Sequence, residues 1–81
     1  MTLYDYNKLN DQLQYQTVWE IGKHLETVTE NEEMCLLYSI GDFYVEVRYN
    51  QRTNQISGKT SFKMKAALLE KYLKEIPNEI L

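Results

Sequence analysis

The stretch YSIGDFYVEVRYN, Tyr38 to Asn50, decides the fold. Gly41-Asp42 suits a two-residue hairpin turn of type II′, which takes glycine first. Such a turn sets Ile40 opposite Phe43, then Tyr38 opposite Val45, Leu36 opposite Val47 and Met34 opposite Tyr49. All eight side chains then share one face, as a half-buried antiparallel sheet requires. Tyr44, Glu46 and Arg48 alternate onto the other face, and what they do there is the functional question.

Working outward, the loop Gln51-Arg52-Thr53-Asn54 leads into a third strand, with Asn54 able to take positive φ. Pairing Tyr49 with Ile56 places Gly58 opposite Val47, Thr60 opposite Val45 and Phe62 opposite Phe43, so the apolar face continues. On the other side a strand over about 23–29 closes through Glu30-Asn31-Glu32-Glu33, with Val28 set against Cys35. Its alternation is poor, which leaves its register open. The four strands form an antiparallel meander.

Helices flank the meander. Asn10-Asp11 is an N-cap followed by an acid, and Gly22 suits the end of the helix. Tyr15, Val18, Trp19 and Gly22 recur at i, i+3, i+4 and i+7, which predicts a helix over 11–21 that buries Trp19. Residues 3–9 form a further helical turn from Thr2, packed through Tyr6 and Leu9, either continuous with the next helix or separate. Leu69, Tyr72, Leu73 and Ile76 repeat the stripe in a last helix that Pro77 stops. The expected fold class is α+β: an N-terminal helix, a four-stranded meander and a C-terminal helix, with both helices on the same sheet face in two layers.

The chain has 81 residues, enough for a single domain over 1–81 with a thin core. With 43% hydrophobic and 26% charged residues it belongs with globular rather than disordered chains. Its apolar runs are too short for a membrane span, and MTLYDYNKLND lacks the basic start and apolar run of a signal peptide, so a cytoplasmic location is expected. One cysteine, Cys35, excludes an internal disulfide and fits a reducing compartment. With His24 as the one histidine, soft ligands for a metal are lacking, and no cofactor motif is present. Residues 1–46 hold nine Asp and Glu against Lys8 and Lys23, whereas residues 47–81 hold seven Lys and Arg against three Glu. Folding interleaves the two halves, so this asymmetry need not survive in space.

The segments WEIGKHL, LLYSIGDFYVEVRYN and LLEKYLKEI resemble a group of short bacterial proteins of unknown function. The shared pattern falls on Trp19, Gly22, Leu25, Leu37, Tyr38, Phe43, Tyr44, Val45, Glu46, Val47, Leu69, Tyr72, Leu73 and Ile76, spanning residues 15–76. Arg48 departs from it, since that group commonly carries tryptophan there. The resemblance implies the fold, and no catalytic residue, substrate or cofactor.

On the second sheet face the derived register sets Tyr44 beside Ser39 and Ser61, Glu46 between Leu37 and Lys59, and Arg48 between Cys35 and Ser57. If Val28 pairs with Cys35, His24 falls near Ser39 and Glu26 near Leu37. A catalytic reading assembles His24, Tyr44, Glu26 and Glu46 for acid–base chemistry, but no nucleophile motif or phosphate loop accompanies them. The plainer reading is a solvated face with a Glu46–Lys59 cross-strand pair worth about 0.2–1 kcal/mol. Arg48 across from Cys35 could activate the thiol, although an inert, partly buried cysteine is the commoner case. Tyr44, Arg48 and Lys59 invite comparison with RNA-binding sheets; Glu46 in their midst and a net charge of −3 argue against that. The favoured expectation is a non-catalytic protein-interaction module that binds a partner protein or a second copy of itself. Leu37, Tyr44, Glu46, Arg48 and Lys59 are the candidate face, with Leu37 as its apolar centre and the charges as rim.

Overall fold

Thr2 and Asp5 close a reciprocal capping box: the Thr2 hydroxyl accepts from the Asp5 amide, and the Asp5 carboxylate accepts from the Thr2 amide. That cap starts a single short helix, α1 (Leu3–Asn7), in the computed structural model, which describes residues 1–63 and Tyr72. Asn10 caps a second, separate helix, α2 (Asp11–Ile21), by accepting from the Leu13 amide at 2.9 Å. Gly22 ends it in extended backbone rather than in the left-handed conformation typical of helix ends. The two helices are thus distinct.

Four strands follow: β1 (Lys23–Glu30), β2 (Glu33–Ile40), β3 (Phe43–Asn50) and β4 (Gln55–Phe62). They pair antiparallel in the order β1-β2-β3-β4, the meander expected. The central hairpin keeps the derived register throughout, with Ile40–Phe43, Tyr38–Val45, Leu36–Val47 and Met34–Tyr49 as partners. Gly41 takes φ +59° while Asp42 stays negative, which is the type II′ pattern. Asn31 and Asn54, with φ of 57° and 63°, serve the other two turns.

Both outer strands depart from the expected register. A bulge between Arg48 and Tyr49 in the β3–β4 ladder leaves Ser57 unpaired, so Arg48 meets Gly58, Val47 meets Lys59, Glu46 meets Thr60 and Tyr44 meets Phe62. One extra residue exchanges the faces of everything beyond it. Lys59 and Ser61 therefore face the helices, where they bond Asp11 and Asn7. Gly58, Thr60 and Phe62 lie on the opposite side. A second bulge at Leu25 pairs His24 with Tyr38 rather than with Ser39.

α1 and α2 cover one half of one sheet face. Their buried contacts, Tyr6 and Val18, meet Ile40, Phe43, Val45 and Val47, with Leu3, Leu9, Tyr15 and Tyr38 packed around them. Trp19 does not join this core: it is 51% exposed, stacked beside Tyr15 and edge-on to Tyr38. Val18 takes the position facing the sheet, which turns its neighbour outward. Tyr72 corrects a further expectation, because it lies not on the helix face but on the other one, with Val28, Cys35 and Glu46 buried there too. Tyr72 therefore covers the part of the second face around Glu46. Leu69, Leu73 and Ile76, expected in the core, lie outside the described residues.

Burial pushes the Tyr6 phenol up to about 12, and its hydroxyl has no hydrogen-bond partner among the described residues. Tyr72 is raised in the same sense, by burial first and then by its bond to Glu46. A raised folded value means that the fold favours the neutral phenol. This contribution is complete below the unfolded value near pH 10 and is lost as pH climbs towards 12. Denaturant unfolding should show stability flat to about pH 10 and falling above it. Tyr6→Phe should be as stable as the parent at pH 7 or better by up to about 1 kcal/mol, and should soften the alkaline loss. Marked destabilisation at pH 7 would mean that the hydroxyl has a structural partner.

Candidate interaction surface

Glu46 sits in the middle of β3 between Val45 and Val47, so alternation places it on the face away from α1 and α2. It is only 2% exposed, the one buried charged residue among those described. Arg48, two residues on and therefore on the same face, donates from Nη1 to Glu46 Oε1 at 3.2 Å and to Thr60 Oγ1 at 2.8 Å. The Tyr72 hydroxyl donates to Oε2 at 2.5 Å. Both carboxylate oxygens are thus engaged by charge-assisted bonds, which is how a buried charge becomes tolerable. Gly58 makes the room: a Cβ there would lie 2.8 Å from the Arg48 guanidinium.

The expected interaction face is rearranged accordingly. Leu37 does lie between Glu26 and Glu46, as derived, and is partly buried. Tyr44 stacks on Phe62 with centroids 5.6 Å apart. Glu46, expected as a solvated rim residue, is instead a buried tie that helps hold Tyr72 to the sheet. The Glu46–Lys59 pair does not form. Lys59, with its side chain 10% exposed, is on the opposite face, bonded to Asp11 and lying 4.3 Å over the Tyr15 ring. Tyr44, Arg48 and Lys59 therefore make no common basic aromatic strip. His24 is likewise separated from Glu26 and Glu46: its Nε2 bonds Thr27 Oγ1 at 2.7 Å and its ring abuts Tyr38 at 5.5 Å. Among the described residues, no three His, Cys, Asp or Glu side chains are grouped to hold a metal ion. No helix among them is long and apolar enough to cross a membrane.

The surface that alternation did not single out is on the helix side. α1 and α2 cover the end of the sheet near the Gly41 turn, and among the described residues the other end of the same face is left open. Trp19, Met34, Leu36, Val47, Tyr49 and Ile56 line a hollow of about 340 Å³ there, and its lining is wholly apolar. Trp19 forms one wall, held in place by Tyr15 and Tyr38. Ile56 forms another and is itself exposed. Sheet-facing Met34, Leu36, Val47 and Tyr49 were legible as apolar positions; the hollow was not, since it depends on how far α2 reaches across the sheet. No family model, curated protein or solved structure matches the chain.

Proposed function

We propose that this chain is a small cytoplasmic, non-catalytic protein-interaction module whose docking surface is the apolar hollow beside Trp19. One observation carries the proposal: a half-exposed tryptophan walls an open, wholly apolar concavity on a domain of only 81 residues. Half-exposed aromatic anchors beside apolar pockets are the usual hot spots of protein contacts. The occupant is a protein surface offering apolar side chains, because the hollow supplies neither cation nor hydrogen-bond donor for a phosphate. The polar groups that suggested acid–base chemistry support this view, since Glu46 spends both oxygens on Arg48 and Tyr72, and His24 is held apart.

The test is affinity capture from the native cell with the tagged chain, run beside Trp19→Lys, with bound proteins identified by mass spectrometry. The expected result is a protein, an untagged copy included, that is retained by the parent and lost by the variant at equal circular dichroism. Identical recoveries with both baits would overturn the proposal.

A further inference from the structure

The buried cluster on the helix side of the sheet is built of hydrophobic residues, whereas the second face holds a carboxylate in the middle of its floor. Around Glu46 that floor is Val28, Cys35 and Leu37, and the pull of an apolar floor on apolar side chains is non-directional. The sequence offers several candidates for it: Leu68, Leu69, Tyr72, Leu73 and Ile76 fall within one stretch of nine residues. Burial by itself does not say which of them seats there. We infer that Glu46 makes the choice: its buried carboxylate admits Tyr72 and rejects the neighbouring leucines and isoleucine, fixing one seating of this stretch on the sheet.

Glu46 is an acceptor aimed in advance. Arg48 holds Oε1 and is itself held by Thr60, in the space that Gly58 leaves, so Oε2 keeps one direction. The Tyr72 hydroxyl donates to it at 2.5 Å, and the residue is only 2% exposed. A leucine or isoleucine in its place leaves Oε2 without this donor and away from water, a penalty heavier for a charged group than for a neutral one. Lys71 and Lys74 can donate, but each would bring a second full charge out of water, whereas the phenol arrives neutral. Burial and then the Glu46 bond raise the Tyr72 phenol, which keeps it a donor across the neutral range. A single buried polar group that costs stability and fixes one arrangement works on the same principle in coiled coils.

Cys35 is the chain's one cysteine and is buried on the same face, paired across the ladder with Arg48, so its thiol reports on the seating. The parent should give one set of amide resonances, with Cys35 slow to react with iodoacetamide. Glu46→Leu with Arg48→Met removes the selector and keeps the floor apolar. That variant should show doubled or broadened resonances at Val28, Cys35 and Leu37, single ones at Val18, Phe43 and Val45, and alkylation of Cys35 faster by about 10-fold or more. Tyr72→Phe keeps the ring and loses only the donor, so it decides the matter if the double variant does not fold. It should speed alkylation about 10-fold through a local opening, at a rate that hardly changes in low urea. A folded double variant with one sharp set of resonances and parent-like protection overturns the inference. So does a Tyr72→Phe chain whose Cys35 reacts at the parent rate, or reacts faster only along the urea slope of global unfolding.

Discussion

Phe43→Ala is expected to cost about 3–5 kcal/mol, a loss typical of emptying a fully buried aromatic site. Phe43 is fully buried, its ring tilted against Tyr6 at 5.4 Å, and it belongs to the cluster with Val18, Ile40, Val45 and Val47. Domains of this size lie towards the low end of the usual range of stability, about 5–15 kcal/mol, so the variant should keep only a small margin and melt far below the parent. The informative comparison is Trp19→Ala. A buried tryptophan would cost as much as Phe43, but this one is half exposed and should cost about 1–1.5 kcal/mol for its stacking on Tyr15 and Tyr38. Urea unfolding of both variants checks the order. If Trp19→Ala proves the more damaging, α2 presents Trp19 rather than Val18 to the sheet.

That comparison also marks where the sequence was sufficient. The β2–β3 hairpin was legible to the residue because three local signals agree: glycine at the turn, period-two alternation, and apolar side chains on both strands. The outer strands lacked such agreement. In β4 the contrast between faces rests on Ile56 and Phe62, an even number of residues apart and so on one face by simple alternation. A bulge at Ser57 puts them on opposite faces, and the intervening Lys59, Thr60 and Ser61 are too similar in polarity to betray it. The same failure at Leu25 moved His24 away from the carboxylates with which it had been grouped.

The helix end of the chain was harder for a different reason. A stripe of Tyr15, Val18 and Trp19 says which side of α2 faces inward, but not which residue takes the centre of the contact. One signal for the second covered face was nevertheless present. Met34-Cys35-Leu36-Leu37-Tyr38 is apolar at consecutive positions, the mark of a strand buried on both sides rather than on one. Taken at full weight it predicts a layer over Cys35 and Glu46, where Tyr72 now lies.

Breaking the tie around Glu46 is expected to be nearly as costly as emptying the core. Arg48→Met removes the cation from a carboxylate that is 2% exposed and leaves the Thr60 hydroxyl without its donor. Unpairing a fully buried ion pair costs about 3–5 kcal/mol; Arg48, about a quarter exposed, should fall at or below the lower end, near 3 kcal/mol. Tyr72→Phe removes one hydrogen bond to the same carboxylate and should cost about 1.5–3 kcal/mol. The decisive variant replaces all three groups at once, Glu46→Leu with Arg48→Met and Tyr72→Phe. With no charge left to desolvate, it should recover most of what Arg48→Met loses, because an apolar trio of similar volume is often neutral relative to a buried ion pair. Equilibrium unfolding of the two single variants and the triple measures this non-additivity directly. If Glu46 were instead a solvated residue on an open sheet, each single change would stay within about 0.5 kcal/mol and the triple would be their sum. Large single losses with a triple that is worse still would mean that Glu46 serves a partner beyond Arg48 and Tyr72, and that the network rather than the burial sets its worth.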